Sequence, residues 1–387
     1  MAFGLNGCEN NMTYNKKRLL LIGGEDVSLR IPMVKMLETF DYKVAVVGTE
    51  SRHIFDDANV TYFRYKLDRS FTPILDLKTV FELYRLFCRE RPDIVHTFDT
   101  KPNILGCIAA RFAGVPKIIR TINGMGKIFS DESWRTYLLK RMYYLLQYGI
   151  SKLTQSTIFQ NQDDLKHFTS RGLISVEKAK YVPGSGVCVE DFEKSVASRA
   201  DMEDLREELG ISGRCTVLLV SRIIKAKGIV EYLESARAVA TSSDRVKFLL
   251  VGPIEGGIEG FQKSLIDDYS DVCTYLGYRS DVSTLIALSD IIVLPSYYKE
   301  GVPRTLIEGA SLSKPLISTA VSGCRDIVIN DHNGILVPVK DSKKLSQAIQ
   351  YLADNPDIRL EMGFKGRELV LDRFSLTKVC EGWRDLY

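Results

Sequence analysis

The sequence has 387 residues, enough for two ordinary domains, and its 45% hydrophobic and 26% charged residues are the balance of a globular protein with ample core. A formal net charge of +3 is too small to argue for a nucleic-acid partner. The eight cysteines are isolated, several in apolar runs such as "LGCIAA", and the four histidines lie apart from them; this speaks against a disulfide framework or a zinc site and for reduced thiols in the cytoplasm.

The opening "MAFGLNGCENNMTYNKK" is polar and has no apolar h-region, so residues 1–16 read as a tail and not as a secretory signal. No apolar stretch approaches the length of a membrane span. After the tail, short β-branched runs alternate with helical patterns, the signature of a parallel sheet with crossover helices. In the first half the predicted strands are "RLLLIGG", "KVAVVGT", "TYFRYKL", "DIVHTF", "KIIRTIN", "STIFQN" and "AKYVPGSG". Helical patterns such as "SLRIPMVKMLETF" and "LDLKTVFELYRLFCRER" separate them. Residues 184–213 are charged and strand-poor and are expected to link the halves, with a boundary near 190. The rhythm restarts with "RCTVLLVSR", "KFLLVGP", "CTYLGY", "DIIVLPS", "PLISTA" and "GILVPV". The expected fold is α/β: a Rossmann-like domain over 17–190, a second over 191–370, and a final helix over 371–387. Doubly wound sheets bind ligands outside their strand C-termini, which places a cleft between the halves.

In "YYKEGVPRTLIEG", Glu300 sits on the loop after an apolar strand, and Glu308 lies more than a turn inside the next helix. Pro303 suits the start of that helix, where a missing N–H costs nothing. The helix N-terminus would face the cleft with free amides and a positive dipole end. Two such glutamates could grip two hydroxyl-bearing parts of one ligand; taken alone, they could equally be a solvated face. Upstream, "SRIIKAKG" puts Arg222 at a strand end and Lys227 with Gly228 just before a helix, a pattern suited to a diphosphate. Taken alone, those cations could also be solvated surface. The loops "LLVGPIEGG" and "TYLGYRSDV" supply glycines on the same edge, and backbone near Gly277 and Arg279 could read a nucleobase. Each is also an ordinary turn.

Together these pieces resemble the C-terminal domain of family-4 retaining glycosyltransferases of the GT-B architecture. The resemblance covers essentially the whole chain and is strongest over 215–340. It implies that Glu300 binds hydroxyls of a donor sugar and that the amides of Gly301 and Val302 hold sugar and diphosphate. Arg222 and Lys227 would neutralise the leaving diphosphate, and Glu308 would bind the ribose hydroxyls. It also implies front-face substitution with retention and no metal or other cofactor. Val302 departs from the aromatic residue that many members carry there.

In the first half, the Gly23–Gly24 loop opens as the family does, with Gly24 on the donor side, although glycine there also serves simple turn geometry. "DIVHTFDTKPNILGCIAARFAGVPKIIRTINGMG" resembles the subgroup that builds bacterial surface glycans on polyprenyl diphosphate. It makes His96 and Lys101 acceptor-side candidates, with structural roles as the alternative. Many members carry a histidine at the end of the next strand, where this chain has Asn123 followed by Gly124; both could hydrogen-bond sugar or acceptor. The helix "SDESWRTYLLKRMYYLLQYGISKL" carries Arg135, Lys140 and Arg141 among aromatic and leucine residues. It could lie on an anionic membrane surface at the cytoplasmic face or be a partly buried helix of the first domain. The expected activity is transfer of a hexose or N-acetylhexosamine from a nucleotide sugar, UDP-linked by preference, to a lipid-linked saccharide or polysaccharide. The alternatives are another GT-B enzyme, such as a nucleotide-sugar epimerase, and a non-catalytic sugar-nucleotide-binding subunit.

Overall fold

The computed structural model describes residues 16–68, 72–125, 134–255, 261–299 and 301–387, with backbone alone at 134–136. The polar tail up to residue 15 lies outside them, as does Glu300.

The first sheet contains β1 Lys17–Ile22, β2 Tyr42–Gly48, β3 Tyr62–Arg64, β4 Ile94–Thr97, β5 Lys117–Ile122, β6 Ser156–Phe159 and β7 Ala179–Tyr181. All neighbours are parallel, in the order β3-β2-β1-β4-β5-β6-β7. The second contains β8 Cys215–Val220, β9 Val246–Val251, β10 Cys273–Tyr275, β11 Ile291–Leu294, β12 Leu316–Thr319 and β13 Gly334–Val337, in the order β10-β9-β8-β11-β12-β13 and again parallel. Each predicted strand forms. Their apolar runs are buried on both faces, as parallel sheets covered by helices require: β4, β11 and β12 contain no exposed residue.

Strand order reverses between β1 and β4 in the first sheet and between β8 and β11 in the second. At such switch points adjacent crossovers leave in opposite directions and open a crevice at the strand C-termini. The loops after these four strands are therefore the ones the fold offers to a ligand.

The chain passes between domains at two paired segments. Val187 N donates to Phe374 O at 3.1 Å and Leu376 N donates to Val187 O at 2.9 Å. The stretch expected as a linker is partly helical, with Val189–Lys194 and Arg199–Glu208 following this crossing. Val187, Val189, Leu209 and Ile211 join the core of the second domain. The last helix, Leu376–Arg384, returns to the first domain, where Val379, Cys380 and Trp383 pack with Leu19, Leu21 and Val34. Trp383 is 1% exposed; deleting such a side chain typically costs about 3–5 kcal/mol.

Candidate functional site

The loop after β8 carries Arg222, and the turn Lys225–Lys227 leads into the helix Ile229–Ala240. This turn is knitted to the end of β11, because Ala226 O accepts the amides of Tyr297 and Tyr298 at 2.9 and 3.1 Å. Gly228 has φ +76°, and a Cβ there would stand 2.2 Å from Pro295 O. Only glycine meets both demands. Lys227 is thereby fixed with its Nζ 5.6 Å from the centre of the Tyr298 ring and is 9% exposed. Arg222 is more open and meets Glu255 at 3.0 and 3.2 Å.

Pro303 caps the helix Arg304–Ser311 from just outside it, with φ −61°. Within the helix Leu306, Ile307 and Ala310 are buried. Glu308 is nearly buried and accepts from Arg304 Nε at 2.7 Å across one turn. Burial pushes its carboxyl above the ordinary value, and the Arg304 guanidinium opposes the shift. Val302 is 6% exposed and its side chain joins the second-domain core, away from the cleft. Gly301 faces the other domain: a Cβ there would meet Asn123 O at 2.3 Å and Gln160 Oε1 at 2.4 Å. The expected donor-side loop and Asn123 are thus in contact.

A cavity of about 290 Å³ opens between the domains at this contact. Asp99, Asn123 and Gly124 line it from the first domain, and Arg222, Tyr298 and Gly301 from the second. These residues follow β4, β5, β8 and β11; β4, β8 and β11 are switch-point strands, so the cavity sits at the crevice that the strand order creates, with the β5 loop as a further wall. A neighbouring cavity of about 220 Å³ shares Asp99 and Asn123 and adds Arg30 and Arg304.

Asp99 is the residue the sequence reading missed. Its Oδ2 accepts Gly24 N at 3.0 Å, and its Oδ1 accepts Asn123 Nδ2 at 2.9 Å. One carboxylate therefore ties the β1 loop to the β5 loop. It does so from φ 64°, ψ 163°, a backbone region in which glycine is nearly the sole occupant and which costs about 1–3 kcal/mol. The available signal was an acidic residue directly after a strand at a switch point. Asn123 Oδ1 is buried without a hydrogen-bond partner among the described residues.

Other expected site residues lie elsewhere. Gly277 has φ +67° on the loop after β10, and its carbonyl accepts Gly252 N at 2.8 Å. Arg279 is clamped by Asp281 at 2.8 and 2.5 Å. Lys101 turns from the cleft toward the helix Pro73–Glu90, donating to Asp76 at 2.6 Å and to Asp68 O at 2.7 Å. His96 takes the structural alternative: it is fully buried inside β4. Its Nδ1 pairs with Tyr387 Oη at 2.6 Å and its Nε2 with Thr121 Oγ1 at 2.7 Å, so the ring anchors the returning C-terminal helix. Burial holds its pKa well below the ordinary value. Among the described residues no cluster of His, Cys, Asp and Glu could hold a metal ion.

The family model described as glycosyl transferases group 1 matches residues 201–369, and that of glycosyl transferase 4-like proteins matches residues 18–157. The chain is 28% identical over 382 residues to the UDP-Gal:alpha-D-GlcNAc-diphosphoundecaprenol alpha-1,3-galactosyltransferase of Escherichia coli, covering 95% of this chain and 94% of that one. It is 26% identical over 343 residues to the N,N'-diacetylbacillosaminyl-diphospho-undecaprenol alpha-1,3-N-acetylgalactosaminyltransferase of Campylobacter jejuni, covering 88% and 89%. A solved glycosyltransferase from Rickettsia africae shares the fold with a TM-score of 0.78 at 19% identity, over 97% of this chain and 98% of that one. One family model lies on each sheet, and the chain belongs to the GT-B glycosyltransferases, with a 4-like first domain and a group 1 second domain.

Proposed function

We propose that the chain transfers a hexose or N-acetylhexosamine, with retention, from a UDP-sugar to a saccharide carried on a polyprenyl diphosphate. The observation that carries this reading is the convergence of the loops after β4, β5, β8 and β11 on one interdomain cavity, with Arg222 in its wall. The names of the Escherichia coli and Campylobacter jejuni relatives, which specify diphosphoundecaprenol-linked acceptors, support the acceptor class; the former also names a UDP-sugar donor.

In this reading the bond from the anomeric carbon to the diphosphate breaks, and a bond to the acceptor hydroxyl oxygen forms on the same face. The acceptor proton passes to the departing phosphate oxygen. Negative charge grows on that phosphate, and Arg222, Lys227 and the amide edge at Gly301 are preorganised to meet it. Glu300 and Glu308 would hold sugar and ribose hydroxyls. Asp99 and Asn123 would position the acceptor side. These fixed cations supply the charge that a metal would otherwise bring, so the reaction is proposed to run without one.

We further propose contact with the cytoplasmic face of a membrane through the helix Trp134–Leu153. Tyr143, Gln147 and Ile150 are buried, while Leu138 and Leu145 are 60% and 72% exposed, with Arg141 also exposed. The side chain of Arg135 lies outside the described residues. No helix among them is long and apolar enough to cross a membrane. Such a face supports lying on the interface, where a lipid-borne acceptor is found. No observation in the cleft favours an epimerase or a non-catalytic subunit.

The test is purified protein with a panel of UDP-sugars and an undecaprenyl-diphosphate-linked saccharide. UDP release should match product formation, and the product should keep the donor's anomeric configuration by NMR. Glu300→Gln and Lys227→Ala should each reduce transfer; full activity in both would refute the site assignment.

A further inference from the structure

Three helices, Pro73–Glu90, Thr100–Phe112 and Trp134–Leu153, pack in that order over one face of the first sheet. The first has an apolar face that the core does not use. Thr79, Leu83 and Phe87 point inward. On the opposite side Ile74, Leu77 and Phe81 follow one another at helical spacing and are 75%, 71% and 58% exposed.

Between this helix and the edge strand β3 lies a groove of about 1050 Å³ with Phe63 and Leu86 in its apolar lining. Five cations and one carboxylate, Glu82, also line it. Arg52 pairs with Asp56 and Arg89 with Glu90. The other three, Arg64, Lys78 and Arg85, have no ion pair among the described residues. None of the groove residues lines the interdomain cavities.

Like charges gathered round an apolar trough repel one another, a cost that the Arg85–Phe81 and Arg89–Phe63 ring contacts at 5.9 and 5.4 Å offset only in small part. An occupant must therefore be both anionic and apolar. A free phosphate ester would leave the trough uncovered, and a neutral apolar molecule would leave the cations unpaired. The exposed Ile74, Leu77 and Phe81 extend the apolar surface along the helix, and they share a helical layer with the exposed face of Trp134–Leu153. A lipid surface meets all three demands.

We propose that this groove binds the headgroup of an anionic phospholipid through Arg64, Lys78 and Arg85, with Ile74, Leu77 and Phe81 set among the acyl chains. The inference deepens the membrane contact proposed above and rests on it, but uses different residues.

Flotation of the full chain with vesicles tests it, comparing equal parts phosphatidylglycerol and phosphatidylcholine with phosphatidylcholine alone. Wild type should partition to the anionic vesicles. Arg64→Gln and Arg85→Gln should each lower that partition about fivefold, and the pair should lower it further than either alone. Phe81→Ser should lower it too, while transfer to a water-soluble acceptor analogue stays unchanged. Equal binding to both vesicle types would overturn the proposal. So would glycerol phosphate raising the melting temperature as much as short-chain phosphatidylglycerol, which would assign the groove to a free phosphate ester. If Leu145→Ser abolishes vesicle binding and the arginine variants retain it in full, the groove is excluded and the Trp134–Leu153 contact stands. If no variant matters and no vesicle binds while soluble transfer proceeds, both membrane contacts fall and the transferase reading remains.

Discussion

Gly301 of the second domain rests against the Asn123 carbonyl of the first, with no room for a side chain between them. A Cβ at Gly301 would stand 2.3 Å from that oxygen, inside the 3.0 Å that real Cβ atoms keep, and the obstacle is backbone that cannot swing aside. Gly301→Ala should therefore hold the domains apart where the two loops meet. Nucleotide affinity should fall less than transfer, because the Gly301 amide is the only proposed nucleotide contact on the displaced loop edge, while Arg222, Lys227 and Glu308 lie on other parts of the second domain. Transfer should fall about a hundredfold, the scale expected when reacting groups are misplaced by roughly an ångström. Turnover and small-angle scattering on the same samples check this. A variant with wild-type turnover would show that this contact is not part of the working geometry.

Arg222 is held by Glu255 at 3.0 and 3.2 Å, and both side chains are partly exposed. A diphosphate arriving at Arg222 must compete with that carboxylate. Exposed pairs of this kind are worth about 0.2–1 kcal/mol. Glu255→Gln should thus tighten UDP binding by at most about fivefold, read by calorimetry at low salt. The gain should shrink as salt rises. Weaker binding would mean that Glu255 supports Arg222 instead of competing with it.

The alternation of apolar runs was sufficient to find the strands, because a parallel sheet buried on both faces writes a continuous β-branched signal. It was also sufficient to locate the Arg222, Lys227 and Gly301 loops, which directly follow such strands. What the pattern could not carry is tertiary. Asp99 looks like any polar residue after a strand until β1 and β5 are seen to flank β4. His96 looks like a ligand until the C-terminal helix, nearly 300 residues later, closes over it: the separation to Tyr387 is 291. Val302 borders the expected pocket in sequence, yet its side chain turns into the core.

Glu308 carries a pH signature. Its carboxyl is raised in the folded state, so the folded protein holds that proton more tightly than the unfolded chain does. Stability from this group is therefore lost as pH rises from the ordinary carboxylate range, about 4.3, through the raised value. Glu308→Gln should remove that component: the melting-temperature difference between variant and wild type should shift in favour of the variant across this window. UDP affinity should fall about tenfold or more, since a hydrogen bond to a charged acceptor is worth about 1.5–3 kcal/mol. Unchanged affinity would separate Glu308 from the ribose and leave it as a partner of Arg304 alone.

His96 tests whether burial or acceptor binding explains that residue. Its pKa is lowered by burial, so below about pH 6.5 the unfolded chain takes up a proton that folded His96 refuses. Its contribution to stability is then present at neutral pH and lost as pH falls. His96→Gln cannot keep both the Tyr387 and Thr121 bonds in the same geometry and should cost about 1–3 kcal/mol at neutral pH. Because glutamine does not titrate, the gap to wild type should narrow on acidification, which chemical denaturation across the range would show. Below the melting transition the acceptor KM should be unchanged. A raised KM with unaltered stability would instead return His96 to the acceptor, against its burial beneath Trp383 and Tyr387.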